Sequence, residues 1–252
     1  MSPNQSKQDR PKLVAHRGYA HAYPENTLLA IQQAVETGAK HVEFDVLLSA
    51  DKVPVLFHDR DMQRLCGVDG MIHEKTYAEL MQLPAYEPGK FGNQFIDNKI
   101  SSLEELVGYI KTVPQVTVFI ELKRQGLTVH GTETFLDKVL PVIEPIKQQV
   151  VVISYSIEAL LAMRRRSDLP IGAVFDSWHE RENDLIQELN AEYWFTDIDD
   201  LPDQGKIECP CLLAVYECVD PLKAMQVHQR GVDMVETFQI KEMLTALAAQ
   251  TT

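Results

Sequence analysis

Histidines, carboxylates and basic residues recur in this chain at the points where strand-like apolar segments end. In chain order the motifs are His16-Arg17-Gly18, Glu43-Phe44-Asp45, His58-Asp59 and Glu121-Leu122-Lys123. Carboxylates that converge without a partner repel one another. A divalent cation relieves this repulsion by its positive charge, and a hard cation prefers oxygen ligands such as these. Imidazole titrates near neutral pH, which suits it to proton transfer. These residue types together indicate metal-assisted phosphoryl chemistry.

Two of the motifs predict a metal site. Residues two apart in a strand point to the same side, so Glu43 and Asp45 share one face, and Glu121 and Lys123 share another. The carboxylates of Glu43, Asp45 and Glu121 suit one divalent metal, Mg²⁺ or Ca²⁺. Zinc is disfavoured because no cysteine or histidine occurs within the carboxylate pairs.

The basic residues and histidines complete a site for an anionic phosphodiester. Arg17 can grip phosphate oxygens with its planar guanidinium, and Lys123 can act on the same group as a point charge. The three carboxylates carry three negative charges, whereas a divalent metal, Arg17 and Lys123 carry four positive ones, so one bound phosphodiester leaves the site neutral. One histidine must deprotonate the attacking oxygen and another must protonate the leaving alcohol, and His16 and His58 are the predicted pair.

These residues must be positioned by an alternating series of strands and helices. The apolar pattern predicts strands over residues 13–16, 41–48, 116–122, 150–153, 170–175, 193–196, 211–216 and 232–235. Helical patterns lie between most of them, including one over residues 129–146, and another covers residues 240–249. Eight strands alternating with helices in 252 residues predict an α/β fold, a (β/α)8 TIM barrel with its catalytic groups at the carboxyl ends of the strands. A doubly wound sheet is the alternative, disfavoured because no G-x-G-x-x-G motif follows the first strand.

A long segment after the second strand interrupts this alternation. Residues 60–100 contain several turn signals and exceed an ordinary strand–helix loop, which predicts a small insertion over the carboxyl end of the barrel. Ser101 or Ser102 then caps the next helix. We therefore expect a disordered tail at residues 1–10 and a single (β/α)8 barrel catalytic domain over residues 11–252, with the insertion at about residues 60–100.

Composition excludes some classes of partner. The formal net charge of −13 argues against a nucleic-acid partner, which favours clustered lysine and arginine. No apolar run approaches the roughly 20 residues of a membrane helix, so stable membrane insertion is not expected. The N-terminal residues lack the apolar core of a secretory signal, which favours a cytoplasmic protein. Cys209 and Cys211 are interpreted as small packing residues at the start of a strand.

The motifs together resemble the signature of the glycerophosphodiester phosphodiesterase family. Pro24-Glu25-Asn26-Thr27 also matches, and the stretch from Asp69-Gly70 through Ile100-Ser101-Ser102-Leu103-Glu104-Glu105 resembles the family's insertion and the segment that rejoins the barrel. The resemblance is specific to about residue 125 and looser beyond. It implies a barrel enzyme that hydrolyses small-molecule glycerophosphodiesters to glycerol 3-phosphate and an alcohol. It also implies that a neighbouring glycerol hydroxyl attacks first, giving a cyclic phosphate that water then opens.

The resemblance also assigns roles to individual residues. It implies that Glu43, Asp45 and Glu121 bind Mg²⁺ or Ca²⁺, and that His16 and His58 are the acid–base pair. It further implies that Arg17 and Lys123 bind the phosphate and that Glu25 is a supporting polar residue.

The C-terminal half departs from the family pattern. Tyr216-Glu217 stands where Trp-Thr is usual, and Glu236-Thr237 stands where Thr-Asp is usual. We expect these changes to affect the shape of the pocket and its preference for the leaving group. Phe175 and Trp178, at and just beyond the fifth strand, are expected to form an apolar wall.

Two other functions fit part of the pattern. A lysophospholipase D-type phosphodiesterase acting on longer lipids would need a broad apolar mouth beneath the insertion. A non-catalytic phosphate-ligand-binding barrel would be expected to lack a histidine or a metal ligand, whereas this chain has the full set. Glycerophosphodiester hydrolysis is therefore the favoured function. The pattern predicts no oligomeric state.

Overall fold

The strands in the described part of the chain form one nine-stranded sheet. The computed structural model describes residues 10–249, so residues 1–9 of the expected tail lie outside the described residues. In chain order the strands are β1 Lys12–Ala15, β2 His41–Leu48, β3 Pro54–Leu56, β4 Thr117–Leu122, β5 Val150–Ser154, β6 Ile171–Val174, β7 Tyr193–Asp197, β8 Leu212–Tyr216 and β9 Met234–Thr237.

Eight of these strands close into a parallel barrel. β1 pairs in parallel with β9 on one side and with β2 on the other, and the remaining neighbours follow in chain order. β3 is the exception, because it runs back antiparallel along β2. The predicted (β/α)8 barrel is confirmed.

Helices lie between most successive barrel strands of the described residues, with several short ones in the segment after β3, and only a short 3₁₀ helix lies between β7 and β8. They are α1 Leu28–Glu36, α2 Gln63–Cys66, α3 Tyr77–Leu80, α4 Pro88–Phe91, α5 Leu103–Ile110, α6 Arg124–His130, α7 Thr132–Ile143, α8 Ile157–Arg166, α9 Asp184–Leu189, α10 Pro221–Arg230 and α11 Ile240–Ala249. Short 3₁₀ helices cover Ile72–Glu74, Glu144–Gln149, Trp178–Glu182 and Ile198–Asp200. Within residues 10–249, none of the helices combines the length and the apolar character needed to cross a bilayer.

The hydrophobic core has two layers, one on each side of the barrel wall. Side chains alternate between the layers along a strand, so Val14 lies inside the barrel while Ala15 packs outside it. The inner cluster contains Val14, Phe119, Val151, Ile153, Val174, Phe195, Ala214 and Met234. This cluster fills the barrel beneath the carboxyl ends of the strands, and the functional residues described below lie above it.

The turn after β1 requires a glycine. Gly18 has a φ of +80°, and a Cβ there would lie 2.7 Å from the carbonyl carbon of Ala30 at the start of α1. Thr27 is the N-cap of this helix, and its Oγ1 accepts a hydrogen bond from the Ala30 N–H at 3.1 Å. The close approach of turn and helix places His16 and Arg17 at the mouth of the barrel.

The segment between β3 and α5 folds around a small core of its own. Its buried residues, together with those of the adjoining strands, are Leu47, Val55, Phe57, Met62, Leu65, Cys66, Ile72, Leu80, Ala85 and Ile100. Lys90 Nζ donates a hydrogen bond to the Ala20 carbonyl (2.7 Å), which ties the segment to the loop after β1. α5 then begins with a capping box between Ser102 and Glu105, so the expected cap is present.

Two predicted boundaries are wrong. The helix expected over residues 129–146 is in fact two helices, α6 and α7, separated at Gly131, whose φ of +77° ends the first. The last strand is β9, Met234–Thr237, rather than residues 232–235, because this run pairs residue by residue with β1. Glu236 consequently lies in the barrel wall, opposite Val14, and not in the loop that follows.

Candidate active site

Strand register brings three carboxylates together at the carboxyl end of the barrel. Glu43 and Asp45 lie on β2, and Asp45 pairs directly with Glu121 on β4. One oxygen from each residue lies within 4.8 Å of the others, and all three residues are buried. The Oε1 atom of Glu43 is buried without a hydrogen-bond partner. Since the donor set is all oxygen and one buried oxygen lacks a partner, these residues fit a hard divalent cation.

The surroundings of the three carboxylates differ in their electrostatic effect. Burial, together with the nearby Asp45, raises the pKa of Glu43 well above its usual value and also raises the pKa of Glu121. Burial acts to raise the pKa of Asp45 as well, but Lys123 and Arg17 outweigh it and hold that pKa well below its usual value. A divalent cation would add the positive charge that all three carboxylates need to be ionised together.

Lys123 follows β4 and lies between two of the carboxylates. Its Nζ atom is 3.2 Å from Asp45 Oδ1 and 2.8 Å from Glu121 Oε1. Burial acts to lower the pKa of Lys123, but Asp45 and Glu121 outweigh it and raise that pKa to about 12. The side chain is therefore a charged ammonium on the wall of the cavity described below.

Arg17 is fixed in the turn after β1. Its backbone N–H donates to Glu43 Oε2 at 3.1 Å, and its Nη1 atom donates to Glu25 Oε1 at 2.9 Å. Its φ of +53° lies in the left-handed region, which is uncommon for a residue with a long side chain. Glu25, predicted as a supporting residue, therefore holds the guanidinium in place beside the carboxylates.

His16 is held on more than one side at the end of β1. Its Nδ1 atom lies 2.9 Å from Glu217 Oε2, and its ring stacks on Phe238 with the ring centroids 4.5 Å apart. Its Nε2 atom lies on the carboxylate side, 3.8 Å from Glu43 Oε2. Burial lowers the pKa of His16 against the opposing effect of Glu217, which favours the neutral ring.

His58 follows β3 and is supported by charged groups. The Phe57 N–H donates to the Asp45 carbonyl at 3.1 Å, which brings His58 beside β2. The His58 Nδ1 atom lies 2.7 Å from Asp59 Oδ1, and Arg64 Nε donates to Asp59 Oδ2 at 2.6 Å. Burial acts to raise the pKa of Asp59, but His58 and Arg64 outweigh it and hold that pKa well below its usual value. Asp59 is thus an ionised partner that orients the imidazole.

Arg64 connects the two histidine sides of the site, a role that the sequence did not suggest. Its Nη2 atom donates to Glu25 Oε1 at 2.7 Å, the same oxygen that Arg17 Nη1 binds. It thereby links Asp59, which holds His58, to Glu25, which holds Arg17. No local signal marks this residue, because its partners come from distant parts of the chain.

Asn26, to which the sequence assigned no role, and Glu236, which was expected to affect the shape of the pocket, also contribute to the site. Asn26 Nδ2 donates to Asp45 Oδ2 (2.8 Å), and Asn26 Oδ1 accepts from the Asp45 N–H (2.9 Å), so the amide fixes this carboxylate. Glu236 is buried, and its Oε1 atom has no hydrogen-bond partner. Burial and the nearby Glu217 raise the pKa of Glu236 well above its usual value. In the sequence, Glu236 was marked by its departure from the family pattern, and Asn26 by its place in the Pro24–Thr27 motif.

These groups surround one cavity of about 90 Å³ at the carboxyl end of the barrel. Its lining residues are His16, Arg17, Glu43, His58, Glu121, Lys123, Ile153, Tyr155, Val174, Phe195, Tyr216 and Glu236. Tyr216 is in the wall, where its hydroxyl donates to the Phe175 carbonyl (3.0 Å) and hydrogen-bonds with the Tyr155 hydroxyl (2.7 Å). The structure therefore brings both predicted histidines and both predicted basic residues to the wall of one cavity.

The side chains of Phe175 and Trp178 lie away from this cavity. Both pack against Trp194 in the cluster outside the barrel wall, with ring centroids 5.5 and 6.4 Å away. The apolar part of the cavity is formed instead by Ile153, Val174 and Phe195. The reason is strand alternation, because Val174 points inward at the end of β6 and its neighbour Phe175 points outward.

The fold and the site define the class of protein. It is a (β/α)8 barrel with three buried carboxylates that could hold a metal ion, and with two histidines, at the carboxyl ends of its strands. Residues 16–237 match the Glycerophosphoryl diester phosphodiesterase family, and the chain belongs to this family. The resemblance expected from the motifs is thus confirmed.

Several named proteins are similar to this chain. It is 32% identical over 157 residues to human glycerophosphodiester phosphodiesterase 1, covering 62% of this chain and 46% of the human protein. It is 30% identical over 173 residues to a glycerophosphodiester phosphodiesterase of Caldanaerobacter subterraneus, covering 66% of this chain and 70% of that protein. The chain thus spans less than half the length of the human relative.

Solved structures share the fold over nearly the whole chain. An Oleispira antarctica phosphodiesterase in complex with the product sn-glycerol-3-phosphate superposes with a TM-score of 0.81 and 25% identity, covering 95% of this chain and 97% of the other. A glycerophosphodiester phosphodiesterase from Parabacteroides distasonis superposes with a TM-score of 0.77 and 22% identity, covering 97% and 100%.

Proposed function

We propose that this protein is a metal-dependent enzyme that hydrolyses glycerophosphodiesters to glycerol 3-phosphate and an alcohol. The observation that carries the proposal is the cavity itself, in which His16, His58, Arg17 and Lys123 converge with the carboxylate group. The names of the similar proteins, and the glycerol 3-phosphate bound as product by one of them, support the same substrate class.

The metal would be held by Glu43, Asp45 and Glu121. Their oxygen-only donor set favours Mg²⁺ or Ca²⁺, and a bound divalent cation supplies a Lewis acid that polarises phosphoryl oxygens and lowers the pKa of a hydroxyl. Asn26 keeps Asp45 in position by two hydrogen bonds.

The two basic side chains in the cavity wall bind the phosphate. Arg17 and Lys123 are each anchored to carboxylates, so they reach the ligand without losing much side-chain freedom on binding. Phosphoryl transfer depends mostly on such positioning and charge stabilisation. The small-molecule headgroup therefore enters with its phosphate beside these residues.

The two histidines carry out the proton transfers. Each has a carboxylate at Nδ1, Glu217 for His16 and Asp59 for His58, and each lines the same cavity. One imidazole takes the proton of the attacking hydroxyl, and the other gives a proton to the leaving alcohol oxygen.

Longer lipid substrates have less support. A lysophospholipase D would need a broad apolar mouth, whereas the cavity measures about 90 Å³ and most of its lining residues are charged or hydroxylated. The cytoplasmic location expected from the N-terminal residues stays a prediction.

Product release by variants of the purified protein tests the proposal. Glycerophosphocholine and glycerophosphoethanolamine are supplied with Mg²⁺, Ca²⁺ or Mn²⁺, or with EDTA, and glycerol 3-phosphate is measured. We expect cation-dependent release, which His16→Ala or His58→Ala lowers by at least about 100-fold. The exposed His179 gives the matched control, because His179→Ala removes an imidazole outside the cavity. Full activity in EDTA, or in either cavity-histidine variant, would contradict the mechanism.

A further inference from the structure

Glu217 uses both of its carboxylate oxygens at the mouth of the barrel, one to contact His16 and the other to bind the loop after β9. Oε2 lies 2.9 Å from His16 Nδ1, and Oε1 accepts a hydrogen bond from the Phe238 N–H at 2.8 Å. Glu217 follows β8 immediately, while His16 follows β1, so the contact joins residues 201 positions apart. Its side chain does not line the cavity, which argues against a direct contact with the substrate.

The contact defines which nitrogen of His16 is free. An ionised carboxylate can only accept hydrogen bonds, so Nδ1 of His16 must carry the proton that is shared with Glu217. In the neutral ring this leaves Nε2 as the unprotonated nitrogen, on the side of Glu43. Stacking on Phe238, with an interplanar angle of 9°, fixes the plane of the ring.

We propose that Glu217 is a positioning residue for the reaction, which acts through His16 by fixing its tautomer and its orientation. The inference rests on the proposed function. Glu217 thus acts on His16, whereas the sequence had led us to expect an effect on the shape of the pocket and its leaving-group preference. The arrangement reproduces that of His58 and Asp59, so each histidine of the cavity has its own carboxylate at Nδ1.

Steady-state kinetics separates this role from a structural one. Glu217→Ala should lower kcat by roughly 10- to 100-fold with little change in KM, as for other partners that orient a functional histidine. Glu217→Asp, which keeps the carboxylate, should recover part of the loss. Glu217→Gln should be intermediate, because its amide has a single acceptor oxygen for two donors. Glu208→Gln removes the same charge from the exposed loop before β8, at the amino end of the barrel, and should leave kcat unchanged.

A double variant tests whether the effect passes through His16. In a His16→Ala background, Glu217→Ala should cause no further loss of kcat, because the group that it positions is already gone. A further loss similar to that in the wild-type background would overturn the proposal.

Nitrogen NMR of the histidine side chains gives a readout that needs no turnover. With ¹⁵N-labelled histidine, the His16 signals, assigned by their loss in His16→Ala, should show a protonated Nδ1 and an unprotonated Nε2. In Glu217→Ala this pattern should change towards the other tautomer or an average. If the wild type cleaves no glycerophosphodiester, the proposed function fails while this arm still decides the role of Glu217. An unchanged His16 spectrum, or an unchanged kcat, in a folded Glu217→Ala protein would overturn it.

Discussion

Glu43→Gln should stabilise the protein when no divalent cation is present and should remove most of its response to added cations. Glu43 is 2% exposed, its Oε1 atom lacks a hydrogen-bond partner, and burial with neighbouring carboxylates raises its pKa well above the usual value. The folded cation-free protein therefore keeps a proton on this group to a higher pH than the unfolded chain does.

The magnitude follows from this difference in protonation. A carboxyl with an unfolded pKa of about 4.3 that stays neutral in the folded state at about pH 7 lowers the free energy of unfolding by up to about 3.7 kcal/mol. Because the folded pKa is raised, stability is fully present below the unfolded pKa and is lost as the pH rises towards the folded pKa. Glutamine has nearly the same shape and no charge, so Glu43→Gln should recover much of this loss.

Cation binding should stabilise the wild type more than Glu43→Gln. A cation at about 100 times its Kd adds about 2.7 kcal/mol to the free energy of unfolding. For a chain of this size, that corresponds to a rise in Tm of roughly 5–10 °C. Glu43→Gln loses one of the three ligands and should show a much smaller rise.

Thermal unfolding followed by circular dichroism tests both parts. The wild type, Glu43→Gln and the exposed control Glu208→Gln are melted in EDTA and in Mg²⁺, Ca²⁺ or Mn²⁺. We expect Glu43→Gln to melt above the wild type in EDTA, and the control to follow the wild type throughout. If no cation raises the Tm of the wild type, or if Glu43→Gln keeps the full cation response, these carboxylates do not form the cation site.

Three further predictions concern groups around the site. Arg64→Ala should lower kcat by about 10-fold or more in steady-state assays, because it removes one hydrogen-bond partner from both Asp59 and Glu25; an unchanged kcat would contradict the link. Glu236→Gln should raise the Tm at about pH 8 but not at about pH 5, since the raised pKa of this buried carboxyl lowers stability only as the pH rises; a pH-independent shift would contradict that cause. Gly18→Ala should destabilise the fold by more than about 1 kcal/mol in chemical denaturation, because of its φ of +80° and its contact with Ala30; an unchanged midpoint would refute the requirement for glycine.

The parts of the site that depend on strand periodicity could be predicted from the sequence. Glu43 and Asp45 share a face because strand residues alternate, and Glu121 joins them because parallel strands end at the same edge. The same rule explains a misplacement, since a shift of one residue reverses the face of a strand side chain. Phe175, expected in the cavity, lies outside the wall, and Val174 takes that place.

Contacts between distant segments could not be read from the sequence. The hydrogen bond between His16 and Glu217 forms only because β1 and β8 both lie beside β9 in the closed barrel. The links of Arg64 to Asp59 and Glu25 depend in the same way on how the segment after β3 folds back. Residue type showed that Glu217 adds a charge, but only the geometry shows what that charge binds.

Turnover of a glycerophosphodiester tests the proposed activity directly. Glycerophosphocholine is incubated with the purified protein and a divalent cation, and phosphorus NMR follows the diester and its products. We expect the diester signal to be replaced by that of glycerol 3-phosphate, with any cyclic phosphate appearing only as a transient intermediate, and we expect EDTA or His58→Ala to stop the conversion. A diester signal that persists under every cation, or that decays equally fast in EDTA, would contradict it.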